Sequence, residues 1–264
     1  MYYRLVVVLA VTLLAGCGAS QSKETRPDTP SAGRIRGVVR LLGTPPALRF
    51  EPVTADQETC GTKVSVQRLA VGKNNGVQDT FVYLDGVPAD PDFHPPAEPV
   101  LVDQKRCQYS PHALIVPLGS KLAITNSDPI LHNVHGYEST GHGSQTLFKI
   151  AQPVRGQRNA VDSPLTKPGI IPLSCEAGHP WMSGFIFVAS NRYAALTSND
   201  GEFTIKDVPP GTYYVKMWHE GVTRQQNLKA LQRYEYEDPY EMTQEVVVTP
   251  GADAVVNFDL ALRP

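Results

Sequence analysis

The chain has no excess of charge of one sign. Twenty-four lysines and arginines stand against 26 aspartates and glutamates over 264 residues, for a formal net charge of −2. With both signs mixed there is no basic face, which sets aside nucleic-acid binding. Long apolar helical periods are few, which argues against a helical bundle. No Gly-rich phosphate loop, no His-Glu-x-x-His and no Gly-x-Ser-x-Gly occurs, and no carboxylate pair stands out. The chain is therefore expected not to be an enzyme. Soft donors are scarce as well, with four cysteines and four methionines.

What the chain does have is 23 prolines, 21 glycines and many short Val/Ile/Tyr/Phe runs. That combination predicts an all-β protein, long enough for one large domain or two small ones. Candidate strands are "RIRGVVRLLG", "DTFVYLDG", two around the turn in "HALIVPLGSKLAITNSDP", "GIIPLSC" and "SGFIFVAS". Later come "GEFTIKDVPPGTYYVKMWHEG", which turns at Pro209-Pro210-Gly211, and "QEVVVTPGADAVVNFDL". Residues 135 to 169 are polar and Gly-rich, and predict long surface loops around one or two strands. Only "TRQQNLKALQRYEYED" reads as helical, briefly.

The N-terminus reads as an export signal. Arg4 supplies a positive charge, Leu5 to Leu14 an apolar run, and small residues precede Cys17. That run is far too short to span a bilayer. "LAGC" resembles the lipobox of bacterial lipoproteins, in which the cysteine is acylated and becomes the mature N-terminus. The resemblance implies removal of residues 1–16 and lipidation of Cys17. It also implies anchoring in a cell-envelope bilayer, on the outer-membrane or cell-surface side because Gly18 rather than Asp follows. The alternative is an ordinary cleaved signal with Cys17 incidental. Residues 17–32 then form a polar tether.

With Cys17 so used, Cys60, Cys107 and Cys175 remain, and an odd number leaves one unpaired. Cys60 and Cys107 lie in similar contexts, "ADQETC" and "VDQKRC", so they are expected to form a disulfide and Cys175 to stay a thiol or thiolate. A bridge from either to Cys175 is the competing arrangement.

"SNDGEFTIKDVPPGTYYVKMWH" resembles the transthyretin-like, carboxypeptidase-regulatory β-sandwich family, with its "DG" turn and "PPGTY" strand start. "GRIRGVVRLLGTPP", "VQDTFVYLDG" and "QEVVVTPGADAVVNFDL" resemble further strands of that family. These pieces flank the middle of the chain. The resemblance implies one sandwich from residues 33–90 and 191–264, interrupted by or in tandem with a domain at 97–190.

In that middle segment "SCEAGHPWM" gathers Cys175, His179 and Met182. Gly178 and Pro180 break a helix there, and strand-like runs flank both sides, so the three sit on a tight loop that can turn them toward one point. Thiolate with thioether is a soft set that suits copper, and a trigonal copper site takes a second histidine. "NSDPILHNVHGY", after the strand "KLAIT", offers one. "LGSKLAITNSDPILHNV" and "PLSCEAGHPWMSGFIFV" resemble the cupredoxin (plastocyanin-like) family. The resemblance implies a Greek-key β-sandwich holding one copper ion through His132, Cys175, His179 and Met182. It also implies a surface-reaching edge of the second histidine where a redox protein docks. The Cys-x3-His-x2-Met spacing differs from plastocyanin and matches half of a binuclear copper loop. The cysteine that such a loop needs four residues earlier is Ile171 here, so a single ion is expected. His135, three residues after His132 in an extended strand, faces the opposite side. It is expected to be exposed or to stand behind the ligands, a ligand role being the lesser alternative. Trp181 and Pro180 are expected to frame an apolar rim beside His179, and Trp218 and His219 to be packing or surface residues. His94, His112 and His142 are assigned no role.

The expected function is a membrane-anchored mononuclear copper protein that carries electrons. The alternatives are copper binding or delivery without a redox partner, and a carbohydrate- or protein-binding sandwich.

Overall fold

A computed structural model of the chain describes residues 31–47, 50–65, 68–140, 143–223 and 236–263. The export signal, Cys17, the tether as far as residue 30, and His142 lie outside the described residues. So does most of the stretch expected to be helical, at 224–235. The fold is all-β and consists of two β-sandwiches.

The first sandwich draws strands from both ends of the chain. Gly33–Leu41 pairs antiparallel with Glu202–Val208, and parallel with Asp253–Val255 and Phe258–Leu260. The facing sheet runs Ala194–Leu196, Phe81–Asp85, Gly211–His219, Tyr240–Val248. Period-two patterning sets which side faces inward. In Glu202–Val208, Phe203 and Ile205 are buried while Glu202, Thr204 and Lys206 are exposed. Gly37 is required where Gly33–Leu41 passes residue 256, because a Cβ there would lie 1.5 Å from the Val256 carbonyl oxygen.

The second sandwich lies within residues 100–189. Its larger sheet runs Gly143–Gln152, His132–Thr140, Gly169–Ser174, Ser183–Ala189, Ala113–Pro117. Its smaller sheet runs Arg158–Ala160, Leu122–Asn126, Val100–Gln104, Tyr109–Ser110. The strands expected within this polar stretch form a long hairpin, paired from Gly143↔Thr140 to Gln152↔His132 with a register shift between Thr146 and Phe148, so less of it is loop than expected. Gly143–Gln152 is an edge strand with Gln145, Thr146 and Lys149 in solvent, so apolar alternation could not announce it.

Ser183–Ala189 is buried along almost its whole length, because both its faces are covered. Ile186 and Val188 point into the core of their own sandwich. Phe185, Phe187 and Ala189 point outward, into a cluster with Phe81 and Trp218 of the first sandwich. Phe81 lies 5.6 Å from Phe187 and 5.5 Å from Trp218, centroid to centroid. Each such ring contributes about 1.5–3 kcal/mol on full burial, so this seam welds the two sandwiches.

A buried ionic group sits beside the seam. Glu220, just beyond Gly211–His219, forms ion pairs with Arg68 Nη1 at 2.5 Å and with the Nε2 of His112, while Arg68 Nη1 donates its hydrogen bond to the Gly221 carbonyl at 3.1 Å. The Arg68 guanidinium lies 3.3 Å over the Tyr236 ring. Burial works to raise the Glu220 carboxyl, yet Arg68 and His112 hold it below the ordinary range. Burial works against a charged His112 ring, yet Glu220 carries its pKa up. His112 thus has partners that the sequence did not reveal.

Residues 50–65 leave the first sandwich and pack on the second. Phe50–Pro52 and Lys63–Ser65 form a two-stranded ribbon around a single helical turn, Gln57–Cys60. Val53 and Val64 are buried in the core of the second sandwich. Cys60 is disulfide-bonded to Cys107, with Cα atoms 5.5 Å apart, and Cys175 is free and buried.

Candidate metal centre

Gly169–Ser174 and Ser183–Ala189 are antiparallel neighbours in register from Gly169↔Val188 to Ser174↔Ser183. Residues 175–182 are the loop that closes this pair, so both of its ends are held by ladder hydrogen bonds. Gly178 has φ +92°, the left-handed region that glycine enters without strain. The Met182 N–H donates to the His179 carbonyl at 3.0 Å and tightens the turn.

His132 opens its strand beside this loop. The segment before it is pinned by side chains. Asn126 Nδ2 donates to the carbonyls of Ile130 and Gln152, and Asn126 Oδ1 accepts the Asp128 N–H. Asp128 accepts the N–H groups of Arg106 and Cys107, both at 2.8 Å. Across the gap, Asn133 Oδ1 accepts the Glu176 N–H at 2.6 Å and ties the strand to the loop.

The structure brings His132, Cys175 and His179 together, all fully buried. Their Nδ1 atoms are 3.2 Å apart, and Cys175 Sγ lies 3.7 Å from His179 Nδ1 and 4.0 Å from His132 Nδ1. A point equidistant from the three lies about 2.1 Å from each, as these separations require. That falls within about 2.0–2.3 Å, the span of nitrogen and thiolate bonds to zinc. Met182 is 2% exposed and shares the core cluster of Cys175.

The outer ring nitrogens explain why a cation fits. His132 Nε2 is 3.0 Å from Asp128 Oδ2, and His179 Nε2 is 3.1 Å from Asp56 Oδ2. A carboxylate only accepts, so each Nε2 carries the hydrogen and each Nδ1 is left with its lone pair. Two lone pairs and a sulfur then converge in a space closed to water, where only a proton or a metal ion relieves their repulsion. Burial holds the His132 pKa below the ordinary value despite Asp128. It does the same for His179, helped by the neighbouring His132. Burial pushes the Cys175 thiol up, against backbone hydrogen bonds from Asn133, Ala177 and His179. Neutral imidazoles and a thiol that surrenders its proton make a soft, borderline donor set.

His135 is not in this group. Its Nδ1 is 2.9 Å from Glu176 Oε1 and its Nε2 2.8 Å from Thr146 Oγ1, while Lys149 bonds the other Glu176 oxygen. His94 is exposed, and His219 is buried with Nδ1 2.8 Å from the Glu220 carbonyl. Trp218 lies in the aromatic seam.

One expectation needs correction. The edge of His179 does not reach the surface, because residues 50–65 cover it and Asp56 takes its Nε2–H. Trp181 stands edge-on to His179 at 5.3 Å, but it is 4% exposed and donates through Nε1 to the Cys107 carbonyl. Trp181 therefore frames no exposed rim there, while Pro180 is half-buried. Sequence reading missed Asp56 and Asp128. Their only signals were position: Asp56 lies four residues before the disulfide cysteine, and Asp128 four before His132.

A profile of polysaccharide lyase family 4, domain II, matches residues 169–256, about a third of the chain. A search of curated proteins found no match. Among solved structures, a copper-containing nitrite reductase from Thermus scotoductus SA-01 is 26% identical with a TM-score of 0.29, over 39% of this chain and 27% of that one. The chain thus spans about a quarter of that enzyme's length. A purple cupredoxin from Nitrosopumilus maritimus is 24% identical, TM-score 0.29, over 34% of this chain and 98% of its own. A reduced amicyanin variant is 20% identical, TM-score 0.30, over 41% of this chain and 98% of its own.

Proposed function

We propose that the chain is a mononuclear copper protein of a bacterial cell envelope that carries electrons and does no bond-making chemistry. In this reading residues 97–190 are the metal-bearing domain, inserted in a second sandwich, and Cys17 is acylated to hold the chain at a membrane. The observation that carries the reading is the convergence of the His132 and His179 Nδ1 atoms on the Cys175 sulfur at 3.2–4.0 Å.

A copper ion held there would supply a one-electron couple. His132, His179 and Cys175 bind it, and Met182 offers a thioether from the end of the same loop. Asp128 and Asp56 orient the two imidazoles. The paired strands on either side of the loop, with the Asn133–Glu176 bond, keep the donors in one arrangement whether the site is oxidised or reduced. Burial keeps water from competing as a ligand.

Closure of the site favours electron transfer over copper delivery. An electron crosses a few ångströms of packed protein, whereas an ion cannot leave a closed site without opening it. A carbohydrate-binding role would need an aromatic platform. Among the described residues, Tyr214 is the one exposed large aromatic of the first sandwich.

Copper(II) added to the metal-free protein should give an intense visible thiolate charge-transfer band and an electron-spin-resonance signal from one ion. The band should vanish in Cys175→Ser. A colourless protein, or a band that survives the substitution, refutes the reading.

A further inference from the structure

The segment that covers His179 comes from a distant part of the chain, yet it is joined to the metal centre at two points. The Cys60–Cys107 disulfide fixes one point, and the Cys107 N–H in turn donates to Asp128, the carboxylate behind His132. Asp56 makes the other, bonding His179 across 123 positions of sequence. Between these points the segment is seated by Val53 and Val64 in the core, and Ala55 Cβ lies 3.5 Å from where a Cβ on Gly178 would be.

Asp56 has an unusual backbone for so exposed a residue. Its φ of 56° and ψ of 37° put it in the left-handed region, and its side chain makes no cap bond to the helical turn Gln57–Cys60 that it precedes. An aspartate before a helix ordinarily uses its carboxylate as the cap. Here the carboxylate points to His179 instead, while the Asp56 carbonyl accepts the N–H groups of Thr59 and Cys60 at 2.9 Å. The turn therefore presents the carboxylate and the disulfide cysteine as one unit.

We infer that Asp56 is a positioning residue of the metal centre, delivered by a cap, residues 50–65, that the Cys60–Cys107 disulfide locks over His179. The inference rests on the metal-binding reading. Asp56 fixes the His179 ring so that Nδ1 faces the sulfur, and the cap shuts the route by which solvent, chelators and alkylating agents reach Cys175.

The test uses the full chain with Asp56→Ala, Asp56→Asn and the double variant Cys60→Ser/Cys107→Ser. Loss of an outer partner of a ligating histidine typically lowers metal affinity about 10–100-fold. Asp56→Ala should fall in that range and shift the visible band. Asp56→Asn, whose amide oxygen still accepts the Nε2–H, should recover most of the affinity. A merely structural role would not discriminate between the two. Asp56→Ala with the affinity and spectrum of the unaltered protein overturns the positioning role.

A second readout needs no copper. In chelator-stripped protein, iodoacetamide modification of Cys175, located by mass spectrometry, should be slow. It should become at least tenfold faster in the double cysteine variant, or after a small dithiol reduces the disulfide to two thiols. Equal rates overturn the cap. If the unaltered protein takes up no copper but the alkylation rates differ as stated, the cap stands and the electron-carrier reading fails.

Discussion

Metal uptake should release about one proton per ion at pH 8, and fewer at pH 6 than imidazoles of ordinary pKa would give. The perturbation is addition of one equivalent of copper(II), or of redox-inert zinc(II), to chelator-stripped protein in a weak buffer with a pH indicator. At the site, burial holds His132 and His179 below the ordinary histidine value and Cys175 above the ordinary thiol value. At neutral pH both imidazoles are then already neutral, and the thiol still has its proton. Only Cys175 must give one up. Imidazoles of ordinary pKa, near 6.5, would each be about three-quarters protonated at pH 6 and would bring the release to about 2.5. At pH 8 the two accounts converge on about one, so pH 6 is the decisive condition. Cys175→Ser should lose about one proton at either pH. Between pH 7 and pH 8, where both imidazoles are neutral, apparent affinity should climb about tenfold, as displacement of a single proton requires. A release of about 2.5 protons at pH 6 would show that the imidazoles are charged in solution, and would refute the buried, neutral triangle of donors.

Three further outcomes are expected. The depressed pKa values of His132, His179 and His219 mean that the unfolded chain binds more protons once pH falls below about 6.5. Their contribution to stability is complete above that value and is lost as pH falls through the folded pKa values, while His112, raised, works the other way; the urea midpoint of metal-free protein should drop between pH 7.5 and 5.5. Replacing Cys60 and Cys107 by serine releases a loop closed over 47 positions, worth about 4 kcal/mol in chain entropy, readable as a lower urea midpoint. Glu220→Gln leaves Arg68 buried without its counter-charge and should cost about 3–5 kcal/mol by the same measurement, while the visible band of copper-loaded protein stays unchanged.

The strands that lead into the site were legible because their composition is local. "GIIPLSC" and "SGFIFVAS" are apolar without interruption, and Gly178 and Pro180 between them rule out a helix. Two soft donors and a histidine in one short loop, with a histidine after a strand upstream, were enough to name three residues that the fold brings together. The Cys60–Cys107 pair followed from an odd count and similar surroundings. The cap was not legible, because "FEPVTADQETCGTK" has no period of its own and takes its place from contacts far along the chain. The uninterrupted apolar character of "SGFIFVAS" signalled burial but could not say what covers its second face. Asp128 was hidden by its setting, since Asn-Ser-Asp-Pro reads first as a turn.

The strand Ser183–Ala189 sets a limit on how this architecture can be divided. Trimming the chain to residues 97–190 would strip Phe185 and Phe187 of Phe81 and Trp218, leaving bare rings on the outer face of the sheet. Such a fragment would stick to its own copies, so a free-standing version would have to be repainted with polar side chains at both positions before it could stay monomeric.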